Sequence, residues 1–276
     1  MRQRPFFTGL LFVGLLALLS ALPAHAQEVP AADDAVDRLS TSPRHAEWVL
    51  IDTSRGAVSS WVVYPERPDA APVVVVIHEI FGLSDWVRSV ADGLAAAGFI
   101  AIAPDLLSGK GPNGGGTSSL ESPARAIRDL DPEEVRLRLD GIAEYGMRLP
   151  AAAKKFGVVG FCWGGSTSFR YATQQPQASA AVVYYGSAPA AEDLANLAVP
   201  VLGLYGGNDH RVNATIERAQ ETLVDTGTRY EVEIYEGAGH GFLRAQDHEQ
   251  LAAANTLAAR AAWSRTLAFF RELLEE

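Results

Sequence analysis

The segment Gly160-Phe161-Cys162-Trp163-Gly164-Gly165 constrains the fold more tightly than any other stretch of the chain. An apolar run, 156–161, enters it, and a segment of helical length, 166–175, leaves it. A strand that meets a helix through G-x-C-x-G has no room for a loop. The central residue is forced into strained backbone geometry and its side chain is lifted clear of the sheet. Gly160 and Gly164 flank it because a Cβ at either position would meet the neighbouring strand or helix. A helix that begins directly after Cys162 turns its N-terminal N–H groups and positive dipole end toward the sulfur, which favours negative charge there. This is the thiol form of a nucleophile elbow. The competing role for a lone cysteine is a small apolar side chain buried at a glycine-rich turn.

The rest of the chain supplies the sheet that such an elbow needs. Residues 47–53 and 57–64, separated by Ser54-Arg55-Gly56, read as an antiparallel hairpin. The β-branched run 73–77 is predicted to be buried on both faces, followed by a helix over 84–97 and another buried strand over 99–103. Asp131-Pro132-Glu133-Glu134 opens a helix with a capping acid, Pro at N1 and acids in the first turn, running to about residue 149. Beyond the elbow come strands at 180–185 and 199–205, a helix over 214–225 stopped by Gly227, a strand at 230–235 and a helix over 251–274. This alternation predicts an α/β fold: a mostly parallel, doubly wound sheet of about eight strands with helices on both faces. One domain is expected over 47–276, preceded by a linker or N-terminal arm at 27–46. Residues 106–130 interrupt the rhythm with Gly109, Gly111 and Gly114-Gly115-Gly116 among Pro, Ser and Thr, and are expected to form an exposed, mobile insertion.

Residues 1–26 carry the marks of a secretory signal peptide. Arg2 and Arg4 form a basic start, 10–19 is apolar, and Ala24-His25-Ala26 is a small-x-small cleavage site, so a cut after Ala26 and a periplasmic or secreted protein are expected. Its loss takes two of the 23 basic residues and no acid, leaving 21 against 33, a balance of −12. Such a surface suits neither nucleic acid nor anionic lipid, and no stable membrane span is expected after cleavage. An exported chain meets oxidising surroundings in which a structural cysteine would have a partner; Cys162 is the only cysteine here, which favours a chemical role.

Catalytic groups of such a sheet gather beyond the carboxyl ends of its strands. Three further segments end strands there: His78-Glu79-Ile80-Phe81-Gly82, Gly206-Gly207-Asn208-Asp209, and Glu236-Gly237-Ala238-Gly239-His240-Gly241-Phe242. The chain order Cys162, Asp209, His240 is nucleophile, acid, base, the order of the α/β-hydrolases. A thiol needs a base to manage its proton, and the imidazole needs a carboxylate to hold its tautomer. Of the other histidines past residue 26, His45, His78, His210 and His248, none sits in a glycine-rich loop after the last strand as His240 does. Asp209 has a competing role as a turn former after Gly-Gly-Asn. No Cys/His spacing suggests a metal site.

Gly-Phe-Cys-Trp-Gly-Gly at 160–165, His-Glu-Ile-Phe-Gly-Leu at 78–83 and Gly-Ala-Gly-His-Gly-Phe at 237–242 resemble the dienelactone hydrolase family, and the similarity extends over roughly residues 47–274. The resemblance implies an α/β-hydrolase fold and hydrolysis of small esters or lactones without a cofactor; a monomer is expected. It implies Cys162 as nucleophile, Asp209 as acid and His240 as base, with the backbone N–H groups of Trp163 and Ile80 as oxyanion hole. Glu79 matches the glutamate that modulates the thiol, and Arg244 an arginine that binds a substrate carboxylate. A second such arginine is expected after the fourth strand, at Arg125 or Arg128. On the residues alone, a non-catalytic protein binding a small carboxylate on the same fold is the alternative.

Overall fold

The computed structural model describes residues 28–246 and 251–275; the expected signal peptide and His248 lie outside the described residues. Eight strands form one sheet: β1 (Ala46–Thr53), β2 (Gly56–Val63), β3 (Ala71–Ile77), β4 (Ile100–Pro104), β5 (Ala152–Phe161), β6 (Ala180–Tyr184), β7 (Val201–Gly206) and β8 (Tyr230–Tyr235). Their spatial order is β1-β2-β4-β3-β5-β6-β7-β8. The β1–β2 and β2–β4 pairs are antiparallel and all others parallel. The helices are α1 (Ala35–Thr41), α2 (Asp85–Ala96), α3 (Pro123–Arg128), α4 (Pro132–Arg148), α5 (Trp163–Gln174), α6 (Ala191–Leu194), α7 (His210–Asn213), α8 (Ile216–Leu223) and α9 (Ala252–Leu274).

Because successive side chains on a strand point to opposite faces, β3 serves two cores at once. Val74 and Val76 pack on one face with Trp86, Val87 and Val90 of α2 and Trp263 and Phe270 of α9. Val73, Val75 and Ile77 pack on the other with Leu139 and Ile142 of α4 and Phe169 of α5. Every residue of β3 is buried, which is why its sequence is a continuous apolar run rather than an alternating one. Full burial of each such side chain contributes ~1.5–3 kcal/mol, so the central strand anchors both layers.

Sheet order places the site. From β3 the chain winds to β4 on one side, then returns across α4 to β5 on the other side of β3. The carboxyl ends of β3 and β5 therefore flank the point where the winding reverses, with Ile77 paired to Gly160. Such a switch point opens a crevice above the sheet, and ligands bind there.

Two segments carry more structure than their composition suggested. In the N-terminal arm, α1 forms, Ala35 is buried, and the Trp86 indole N–H donates to the Pro30 carbonyl at 3.2 Å. Arg44 closes a two-pronged ion pair on Asp92 of α2, at 2.9 and 2.5 Å. The glycine-rich segment 106–130 holds two short 3-10 turns and α3. Its stitch is Asp105, whose carboxylate accepts from the Thr117 hydroxyl at 2.7 Å and the Thr117 N–H at 2.8 Å. Thr117 Oγ1 in turn accepts from the Leu83 N–H, tying the segment to the loop after β3. Among the described residues no helix is long and apolar enough to cross a membrane.

Candidate active site

Cys162 stands between β5 and α5 with φ 54° and ψ −114°. A non-glycine residue held at positive φ costs ~1–3 kcal/mol, and the surrounding structure must impose it. It does so through close approach: a Cβ on Gly160 would overlap the Gly164 carbonyl, and one on Gly164 would overlap the carbonyl oxygens of Ile77 and His78. The N-terminus of α5 can thus lie directly on the end of β3. The thiol is half-buried at the helix N-terminus, as the elbow motif predicts.

The loops after β7 and β8 bring the acid and base to it. They are bonded to one another: the Gly207 N–H donates to the Tyr235 carbonyl at 2.8 Å and the Asn208 N–H to the Ala238 carbonyl at 2.9 Å. His240 Nε2 lies 3.1 Å from Cys162 Sγ, and its Nδ1 lies 2.5 Å from Asp209 Oδ2. Among the described residues, His240 is the hydrogen-bond partner of the thiol. Asp209 also performs its competing role, since its Oδ1 accepts from the Val212 N–H at the start of α7. Capping with one oxygen holds the carboxylate while the other meets the imidazole.

Burial alone would lower the His240 pKa, but the hydrogen bonds to Asp209 and Cys162 outweigh it and raise it to about 9. Burial pushes Asp209 the other way from its hydrogen bond to His240, and the bond prevails, keeping the carboxyl below its ordinary value. Both directions favour an imidazolium–carboxylate pair beside the sulfur.

Glu79 follows β3 and is buried. Expected beside the thiol, it meets Arg244 instead, with Arg244 Nε 2.9 Å from Glu79 Oε1. The distance is that of an ion pair, yet the N–H is not directed at the oxygen, and neither atom has a hydrogen-bond partner among the described residues. Burial raises the Glu79 pKa to about 7 against the pull of Arg244 and His240. The Arg244 guanidinium also lies over the exposed Phe81 ring, 4.9 Å from its centroid. Arg125 and Arg128, by contrast, stand exposed on α3 and bond to none of these groups. His210 is exposed at the start of α7.

Ile80 lies in the loop after β3, and Trp163 opens α5. Trp163 is the first residue of α5, so its N–H has no acceptor within the helix. Ile80 follows a carbonyl, that of Glu79, held by the Gly82 N–H at 3.1 Å and by His78 Nδ1 at 2.9 Å.

Three residues here were not singled out from the sequence. Tyr185 directly follows β6 with φ 39°, its ring in a T-shaped contact with His240 at 5.2 Å, and its buried hydroxyl has no hydrogen-bond partner among the described residues. Its place after a strand's carboxyl end was the available signal. Asn255, buried in α9, accepts from the Gly239 N–H at 3.0 Å and donates to the Ala245 carbonyl at 2.7 Å, bracketing the His240 loop. Its signal was a polar residue on the apolar side of a helix. The third is His78.

Comparison with known proteins agrees with this architecture. The family model for the dienelactone hydrolase family matches residues 58–274. A Salmonella typhimurium protein bearing the name carboxymethylenebutenolidase is 31% identical over 252 residues, covering 81% of this chain and 91% of its own. A carboxymethylenebutenolidase homolog of Rattus norvegicus is 30% identical over 184 residues, covering 63% of this chain and 72% of its own. A crystal structure from Klebsiella pneumoniae subsp. pneumoniae, named for dienelactone hydrolase, is 28% identical with a TM-score of 0.71, over 82% of this chain and 98% of that one. The family match spans more than three quarters of the sequence, and the chain is a hydrolase of the dienelactone hydrolase family, built on the α/β-hydrolase fold.

Proposed function

We propose that the protein hydrolyses small esters or lactones through a Cys162–His240–Asp209 triad, using no group beyond its own side chains and backbone. The observation that carries the reading is the continuous contact from sulfur to imidazole to carboxylate, 3.1 and then 2.5 Å. Cys162 sulfur attacks the acyl carbon, and the carbonyl π electrons move to oxygen, which the Ile80 and Trp163 N–H groups stabilise. The oxyanion collapses, the C–O bond to the leaving group breaks, and protonated His240 donates its proton to that oxygen. For a lactone the leaving oxygen stays tethered to the acyl group. Water then attacks the thioester while His240 takes its proton, and the acid departs as the thiolate–imidazolium pair is restored.

Arg244 supports a preference for substrates bearing a carboxylate. Its guanidinium lies beside Phe81, and among the described residues its acid partner is Glu79, which holds it without a directed hydrogen bond. A substrate carboxylate would offer the bidentate geometry that Glu79 does not. The leader-like residues 1–26 support action outside the cytoplasm.

The test is pre-steady-state hydrolysis of p-nitrophenyl acetate and of dienelactone. A burst of one equivalent followed by turnover is expected, absent in Cys162→Ala. Full turnover by Cys162→Ala would overturn the proposal. Slow binding of carboxylates without any turnover would favour the binding-protein reading.

A further inference from the structure

His78 takes no part in the chemistry above, yet it is fully buried directly under the site. Its Nε2 lies 3.3 Å from the Leu106 backbone N–H. A backbone N–H can only donate, so Nε2 is the unprotonated nitrogen and Nδ1 carries the ring hydrogen. Nδ1 therefore donates to the Glu79 carbonyl, 2.9 Å away. The ring is neutral in this role, and its burial, which lowers its pKa, acts in the same direction. Its plane stacks on the Trp163 indole, with centroids 5.6 Å apart and planes 19° from parallel.

The carbonyl that His78 holds belongs to the same peptide unit as the Ile80 N–H. A trans peptide is planar, with N–H and C=O pointing in opposite directions. Fixing the Glu79 carbonyl toward the buried imidazole fixes the Ile80 N–H on the opposite side, toward the crevice. The second hydrogen bond, from the Gly82 N–H, closes a turn but leaves the peptide able to tilt about it. We infer that His78 is a positioning residue of the oxyanion hole. It bridges Leu106 and Glu79 to set the plane of the Glu79–Ile80 peptide, and its ring supports Trp163, whose N–H is the other donor.

This rests on the proposed thioester route, so the experiment separates the two. Two rates are measured at Cys162 in the full chain: the p-nitrophenolate burst with p-nitrophenyl acetate, and alkylation by iodoacetamide. Acylation builds an oxyanion in the hole; alkylation displaces iodide and builds none. Loss of an oxyanion donor costs about 10²–10³-fold in rate, so a misaimed one in His78→Leu should slow the burst ~10–100-fold. Alkylation should stay within about 3-fold of wild type, because sulfur, His240 and Asp209 are untouched. His78→Asn places an amide N–H near the position of Nδ1 and should recover most of the burst rate. An unchanged burst in His78→Leu would overturn the inference. So would parallel loss of burst and alkylation in both variants, since His78 would then be no more than packing. No burst in wild type would instead overturn the triad reading itself.

Discussion

Replacing Glu79 by Gln should make the protein more stable at alkaline pH and leave it nearly unchanged in acid. The carboxyl is buried, its Oε1 receives no hydrogen bond from the described residues, and its Arg244 contact is close but misdirected. Its pKa accordingly rises from the ordinary 4.5 to about 7. The folded chain thus binds this proton more tightly than the unfolded chain. Between the two values the native state holds more protons, so the stability linked to Glu79 is fully present below 4.5 and is lost as pH rises through about 7. Each tenfold change in proton affinity is about 1.4 kcal/mol, which makes the whole effect about 3 kcal/mol, of which about 2.5 falls between pH 5 and pH 8. The attraction of Arg244 is already counted in that balance. Gln fills the same volume and cannot ionise, so the wild-type loss should vanish in Glu79→Gln. Urea unfolding followed by tryptophan fluorescence at both pH values would read it, as a relative midpoint shift of about 1 M for a slope of 2–3 kcal/mol per M. Other titrating groups are shared by the two proteins and drop out of the difference. A variant-minus-wild-type difference that does not change with pH would refute the burial argument.

Asp209→Asn should lower kcat/KM by roughly 10³–10⁴-fold, as loss of a triad carboxylate does. Residual activity should decline at a lower alkaline pH than in wild type, where the His240 value of about 9 sets the limit, and a pH–rate profile checks both. Gly164→Ala should cost at least ~1–3 kcal/mol by overpacking and suppress the burst, because its Cβ would overlap the Ile77 and His78 carbonyls; thermal melts and burst amplitude test this. Arg44→Ala leaves the Asp92 carboxylate under the arm with the Ser42 hydroxyl but no cation, and should destabilise by about 2–4 kcal/mol in urea, with catalytic constants intact in the folded fraction.

What was legible in the sequence depended on how local the cause was. The strands β3, β6 and β7 and the 156–161 half of β5 are continuous apolar runs because both faces are covered, and that signal survives without any knowledge of neighbours. The start of α4 was equally plain, since Asp131 caps it from within its own turn. The elbow was legible because its requirement is steric and confined to six residues. Cys162, Asp209 and His240 could be assembled because the parallel strands β3 to β8 all send their carboxyl ends to one edge, so chain order alone brings them together.

The order in the arm and the 106–130 segment was not legible, because its causes are distant side chains. Arg44 reaches Asp92, and Asp105 reaches Thr117, and neither pair leaves a periodic trace. Glu79 shows the limit most clearly. Its position after β3 was readable, but its partner was not, because the choice between thiol and arginine turns on which side of a buried loop the carboxylate faces. The backbone at that point is held by His78, whose Nδ1 lies 2.9 Å from the Glu79 carbonyl. A residue that acts by holding one carbonyl has no chemical signature in a sequence. It becomes visible only once the carbonyl and the imidazole are seen together: Glu79 and Ile80 share one loop and one peptide unit, so a contact that holds the Glu79 carbonyl also holds the Ile80 N–H.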